Sequence, residues 1–219
     1  DLEYAVSLKS ILDLHHIAAE ELEGAILSSV VPPLNAVITE AVRKVTGLSC
    51  KLVGAGMKTG MNIRMDDPKH IGSDLIVDSV AAKANYPLPI IVIDMGTATS
   101  ITALDQNGDY VGGSIHPGLR VSLNTLSGST AQLPSIDLES PGRALAKNTI
   151  EAMQSGILYG TAGMLDGIIT RMEAELGSKA TIVATGGLAR FVTPLCAHRI
   201  EIDDLLLLKG LLILYRKNS

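Results

Sequence analysis

Leu2, Val6, Leu8, Ile11, Leu12 and Leu14 recur near the helical period, which predicts a helix over residues 2–17. The apolar run GAILSSV at 24–30 suits a short buried strand. Pro32 and Pro33 open a second helix through Ala36, Val37, Ala41 and Val45, and Gly47 ends it. Residues 51–54 read as a short strand, and the polar, glycine-rich GAGMKTGMNIRMDDP after them reads as a loop. Asp67 is a good N-cap and Pro68 fits a first helical position. A third helix is therefore expected from there through Ile71, Leu75, Val77 and Val80 to about Lys83.

At Pro87 the pattern changes. Residues 90–93 form a strand that enters the turn Asp94-Met95-Gly96-Thr97, and residues 100–104 form the strand that leaves it. Asn107-Gly108 is a strong hairpin signal, and a third strand over 110–115 closes at Pro117-Gly118. A helix is expected from Arg120. Residues 126–143 have no clear period and read as a loop. Residues 147–176 are helical in pattern, but Gly156, Gly160, Gly163 and Gly167 leave open one kinked helix or two packed ones. A strand at 180–185 runs into Gly186-Gly187. A short helix, a weak strand near 199–202 and a Leu-rich helix complete the chain. The fold class is α/β, with a domain boundary near Tyr86-Pro87 that separates residues 1–86 from 87–219. If the two parts are duplicates, the first has lost its opening strands.

Length sharpens that expectation. The 219 residues amount to about one and a half domains at roughly 150 residues each. The chain opens on Asp1 with no initiator Met, so an N-terminal piece is expected to be missing. A 47% hydrophobic and 19% charged composition excludes a disordered chain. Aromatics make up only 3%, so the core is aliphatic and stacking on single-stranded nucleic acid is disfavoured. A net charge of −5 gives no footprint for DNA or RNA. Cys50 and Cys196 make no disulfide framework and no metal spacing, which fits a reducing cytoplasm. The longest apolar run, 205–215, is about half of the ~20 residues a membrane span needs, and Lys209 breaks it.

Four places could carry chemistry. In IDMGTATS, a buried strand delivers Asp94, Gly96 permits close approach of a ligand, and Thr97 and Thr99 offer hydroxyls and N–H groups. Such a turn can hold a phosphate while Asp94 binds a cation; it can equally be an ordinary turn with a capping Asp. Asp74 and Asp78 share a helix face. Asp74 could act as a general base for a hydroxyl, but acids near a helix start on a solvated face are the more common case. Lys147-Asn148-Thr149 stands at an expected helix start, where Thr149 could donate to a substrate oxygen or where Asn148 or Thr149 could simply cap. Ala184-Thr185-Gly186-Gly187 could admit a nucleotide against the backbone, and is also a common strand-to-helix connection. His116 beside Pro117-Gly118 is the best placed histidine, with a structural role at least as common.

Several stretches occur together and in order: SSVVPPL from Ser28, GMKTGMNI from Gly56, DPKHIGSD from Asp67, IDMGTATS from Ile93, GGSIHPGL from Gly112, AQLP from Ala131, KNTIEAMQSGILYG from Lys147, ATGGLA from Ala184 and LLLLKGLLILYRKN at the end. In combination they resemble a type III pantothenate kinase, the CoaX family of the acetate kinase/Hsp70/actin (ribonuclease H-like) superfamily. The steps of 20 residues from Asp74 to Asp94 and 52 from Thr97 to Thr149 fit that family's spacing. The resemblance implies two duplicated ribonuclease H-like domains with mixed sheets flanked by helices, here without the N-terminal strands and phosphate loop of the first. It implies ATP-dependent phosphorylation of pantothenate to 4′-phosphopantothenate, the first step of coenzyme A biosynthesis, with ATP, Mg²⁺ and a monovalent cation (K⁺ or NH₄⁺) as cofactors. It further implies a homodimer, with the glycine-spaced 147–176 region and the 205–215 helix as candidates for its interface; the charge and the short apolar runs already argue against a nucleic-acid or membrane partner.

On the same resemblance Asp74 matches the catalytic base, and Gly72, Ser73, Asp74, Leu75 and Thr149 the substrate contacts. Asp94 matches the cation ligand and Thr97 a contact to the ATP phosphates; Gly96, Gly186 and Gly187 are read from the residues themselves as opening the nucleotide site. Two features depart from the family pattern. The substrate segment usually reads Gly-Ala-Asp-Arg, whereas here it is Gly72-Ser73-Asp74-Leu75. An Arg can pair with both oxygens of a carboxylate, and Leu75 cannot. Lys69, His70, Arg120 or Lys147 could substitute, or the chain could be a non-catalytic, regulatory relative or a kinase for another small alcohol. The family's N-terminal loop Asp-x-Gly-Asn-Thr has no counterpart after Asp1, so the chain as it stands is expected not to be a competent kinase.

Overall fold

The computed structural model describes residues 2–129 and 133–219, without the side chain of Lys69. Ala131 and Gln132 of the AQLP stretch therefore lie outside the described residues, as does Asp1. The chain groups into two units. One holds the residues up to Gly60 with Lys69–Ala81 and Leu207–Ser219, and the other holds Met61–Pro68 with Ala82–Leu206.

The first unit begins with α1 (Leu2–Leu14), followed by β1 (Ala25–Leu27), α2 (Pro32–Thr46) and β2 (Cys50–Leu52). The strands pair in parallel from Ala25↔Cys50 to Leu27↔Leu52. Two prolines open α2, and Gly47 ends it at φ 73°, a conformation that glycine adopts without steric cost. The helix expected from Pro68 starts later. Pro68–His70 make one 3-10 turn, and α3 runs over Ser73–Asn85. Gly72 between them would cost a continuous helix about 1 kcal/mol. Ser73 supplies the alternative start: its Oγ donates to the Ser29 carbonyl at 3.2 Å and accepts from Ser28 Oγ at 2.8 Å, which pins α3 to the segment after β1. Asp78, expected with Asp74 on a solvated face, is instead buried at 2% exposure. The last helix of the chain, α7 (Leu206–Lys217), lies mostly in this unit. Its Gly210 approaches Val77 so closely that a Cβ would sit 2.1 Å from the Val77 carbonyl oxygen.

The second unit is built on β3 (Ile90–Met95), β4 (Ala98–Leu104), β5 (Tyr110–Pro117), β6 (Thr181–Thr185) and β7 (Glu201–Ile202), in the order β5-β4-β3-β6-β7. The β3–β4 and β4–β5 pairs are antiparallel, and β3–β6 and β6–β7 are parallel, so the sheet is mixed. The hairpin signal holds: Gly108 is at φ 71°, and Asp105 Oδ1 accepts from the N–H groups of Asn107 (2.8 Å) and Asp109 (3.0 Å). Helix α4 (Leu119–Gly128) follows β5, and α6 (Ala189–Val192) follows β6. Between them, residues 149–176 form one helix, α5 (Thr149–Leu176), rather than two. Its four glycines each cost about 1 kcal/mol relative to Ala. Leu158, Leu165 and Ile169 are fully buried against Ile91, Ile93 and Met95, at about 1.5–3 kcal/mol each, and this outweighs the glycine cost.

Two acids of α5 anchor the segments on either side of β6. Asp166 accepts from the N–H groups of Ala197 (2.7 Å) and His198 (3.0 Å) and contacts the His198 ring at 2.7 Å. Glu173 accepts from the Ala180 N–H at 3.0 Å and from Lys179 at 2.6 Å. Burial pushes both carboxyls up, but these donors outweigh it and hold both below their ordinary values. A lowered folded value adds stability above the ordinary carboxylate range near 4, and that stability is lost as pH falls through the folded values. Melting temperature is therefore expected to drop between about pH 5 and pH 3. Asp166→Asn is expected to lower stability at neutral pH by about 1–3 kcal/mol and to flatten that acid limb in thermal melts.

Candidate functional site

The carboxyl end of β3 carries the turn into β4, closed by a hydrogen bond from the Gly96 N–H to the Ala98 carbonyl at 3.0 Å. Gly96, Thr97 and Ala98 are exposed at its tip. Two glycines from elsewhere press against it. Gly118 donates its N–H to the Thr97 carbonyl at 3.1 Å, and a Cβ there would lie 2.4 Å from that oxygen and 2.5 Å from the Gly96 oxygen. Gly186, after β6, stands at φ 93°, with a Cβ position only 2.6 Å from the Met95 carbonyl oxygen. Asp94, Gly96, Thr97 and Gly186 thus gather at one end of the sheet, and Gly187 follows Gly186 in open space.

Strand alternation sorts the side chains around this turn. Met95 faces the core with Ile93, so Asp94 faces the other side. In register with Asp94 stand Ser100 on β4 and Thr185 on β6, so a carboxylate is flanked by two hydroxyls on one face of the sheet. This is an all-oxygen donor set, the kind that suits a hard cation. Spacing alone did not single out Ser100; the hairpin register does.

The other expected residues fall in two places. Gly72, Ser73, Asp74 and Leu75 stay together at the start of α3 in the first unit. Asp74 folds back over Gly72, where a Cβ would meet its Oδ1 at 2.4 Å, and that oxygen accepts from the Leu75 N–H at 2.9 Å. The Ser73 hydroxyl donates to the Ser29 carbonyl, so it is already engaged in holding the helix start. Thr149 is the exposed first residue of α5 in the second unit, directly after the cap Asn148, whose Oδ1 accepts from the Glu151 N–H at 2.9 Å. Asn148 therefore does the capping and leaves the Thr149 hydroxyl at the positive end of a 28-residue helix. His116 pairs with Thr99 in register, and its Nε2 lies 3.0 Å from Ser114 Oγ.

The family model for type III pantothenate kinase matches residues 1–171. A type III pantothenate kinase of Moorella thermoacetica is 42% identical over 217 residues, which is 99% of this chain and 85% of that protein. This chain belongs to the type III pantothenate kinase family. A second member, from Syntrophobacter fumaroxidans, is also 42% identical, over 99% of this chain and 84% of its own length. Solved structures agree at the level of fold. A protein described as a conserved Baf family transcriptional activator from Campylobacter jejuni matches with a TM-score of 0.60 at 17% identity, over 91% of this chain and 86% of that one. The ethanolamine utilization protein EutJ from Carboxydothermus hydrogenoformans matches with a TM-score of 0.52 at 17% identity, over 96% and 73%. As a type III pantothenate kinase family member, the chain has the α/β architecture with a mixed sheet flanked by helices that its register describes. Among the described residues, no helix is long and apolar enough to cross a membrane.

Proposed function

We propose that the full-length protein catalyses ATP-dependent phosphorylation of pantothenate to 4′-phosphopantothenate in the cytoplasm, the first step of coenzyme A biosynthesis. The observation that carries this reading is the turn at residues 94–98, exposed at its tip and pressed by Gly118 and Gly186, in a chain 42% identical to a type III pantothenate kinase across nearly its whole length. In this reading Thr97 and the backbone around Gly96 hold the ATP phosphates, while Gly186 and Gly187 leave room for the rest of the nucleotide. Asp94 binds a monovalent cation, K⁺ or NH₄⁺, with Ser100 and Thr185 as flanking oxygens. Mg²⁺ on the phosphates would supply charge neutralisation. Such transfer depends mainly on positioning and electrostatics, so the chain's own task is to align the γ-phosphoryl with the acceptor alcohol.

Asp74 is the base that takes the proton from the primary hydroxyl as its oxygen bonds to the γ-phosphorus and the bond from that phosphorus to the leaving ADP oxygen breaks. Gly72, Ser73, Leu75 and Thr149 line the acceptor. Leu75 cannot bind a carboxylate, and Lys147, two residues before Thr149, is a cation suited to that task. The test is product formation by the full-length protein with ATP, Mg²⁺, KCl and each of several acceptors. Pantothenate should be phosphorylated, and simple alcohols or sugars should not. Robust turnover only with another alcohol would overturn the acceptor assignment.

Two finer features belong to the same reading. The order α1–β1–α2–β2–α3 repeats α5–β6–α6–β7–α7, and each order contains one parallel strand pair, which supports a duplication of ribonuclease H-like halves. Among the described residues, the first unit has no counterpart of the β3–β5 hairpin. The protein also acts as a homodimer, with α5 as the leading contact: Gly156, Gly160 and Gly163 have open space where a Cβ would stand, and Ile150 on the same helix is 49% exposed. On α7, Leu208 and Leu212 are likewise exposed. Light scattering over a dilution series is expected to give the mass of two chains, and a stable monomer throughout would contradict this.

A further inference from the structure

Thr99 stands where the candidate phosphate turn enters β4. Alternation along β4 turns it to the same sheet face as Ile101, which belongs to the core packed with α5. Its register partners are Met95 on β3 and His116 on β5. The residue is 1% exposed, and its Oγ1 is buried with no hydrogen-bond partner. A buried hydroxyl in that state is destabilising, and Val, of the same shape and equally β-branched, would avoid the cost. The orphaned hydroxyl belongs to the residue that follows the exposed Gly96, Thr97 and Ala98, in the part of the chain that would have to receive the phosphates.

We propose that Thr99 is a positioning residue for the nucleotide: its hydroxyl gains an acceptor on the turn when ATP occupies it, and so holds the turn in its phosphate-binding form. A hydrogen bond made only in the occupied state favours that state and no other, so it acts as binding energy for ATP. The inference rests on the nucleotide role assigned to the turn at 94–98, and it concerns how that turn is held once filled. It separates the roles of the two threonines. Thr97 meets the phosphates from outside, and Thr99 fixes the turn from the core side.

The test compares wild type, Thr99→Val and Thr99→Ser by calorimetric titration and thermal melts with Mg²⁺–ATP in KCl. Wild type should bind and gain melting temperature. Thr99→Val should bind about tenfold more weakly, the worth of one hydrogen bond, while its nucleotide-free melting temperature stays equal or rises. Thr99→Ser should restore most of the affinity. If wild type binds and Thr99→Val binds equally well, the inference falls and the nucleotide reading stands. If Thr99→Val instead melts lower without nucleotide and keeps its affinity, the hydroxyl is structural and the inference also falls. If wild type itself neither binds nor shifts, the nucleotide reading fails and takes the inference with it.

Discussion

Asp74→Asn is expected to keep the fold and lose turnover by a factor of about 10²–10⁴, the usual worth of a positioned general base. The substitution is nearly isosteric. An Asn oxygen can still accept from the Leu75 N–H, as Asp74 Oδ1 does at 2.9 Å, so the start of α3 should survive. The Ser73 anchor to Ser28 and Ser29 is untouched by the change. The loss is that of an oxygen able to take a proton from the acceptor hydroxyl. The signature is therefore a fall in kcat with little change in melting temperature or in ATP affinity. Phosphorylation at the parent rate would remove Asp74 from the role of base.

Gly186→Ala should act in the opposite way, on the architecture of the nucleotide site. Gly186 combines φ 93° with a Cβ position 2.6, 2.8 and 2.9 Å from the Met95 carbonyl oxygen, carbonyl carbon and nitrogen. The backbone conformation alone costs an alanine about 1–3 kcal/mol. The clash is with backbone at the end of a buried strand, so it cannot be relieved by a side-chain rotation. Melting temperature should fall by several degrees and Mg²⁺–ATP binding should be lost. Gly187→Ala is the control: a Cβ there meets nothing within 4 Å, so its melting temperature should match wild type. Equal stability of both variants would mean that Gly186 is not packed against the end of β3.

Much of the second unit was legible because its signals are local. A buried strand ending in Asp94-Met95-Gly96-Thr97 and a hairpin at Asn107-Gly108 need only neighbouring residues to form, and both stand in the structure. The start of α3 departs from the local signals for a physical reason. Asp67 and Pro68 are good helix openers, but the decisive contacts come from Ser28 and Ser29, 45 and 44 residues away along the chain. The burial of Asp78 was hidden in the same way, since helical spacing shows which residues share a face but not what covers it. The continuity of α5 depended on a core that outweighs four glycines, and composition could not weigh the two. In the site, residue types and spacing led to Asp94, Thr97 and Gly186. The flanking pair Ser100 and Thr185 emerged only from strand register.

Transfer of the γ-phosphoryl of ATP to the primary hydroxyl of pantothenate can be followed by its label. The measurement is incubation of the full-length protein with γ-labelled ATP, Mg²⁺, KCl and pantothenate, followed by mass analysis of the acceptor. Labelled 4′-phosphopantothenate should form in step with ADP, and Asp74→Asn should form both about 10²–10⁴-fold more slowly. Release of labelled inorganic phosphate with pantothenate left unmodified would contradict it.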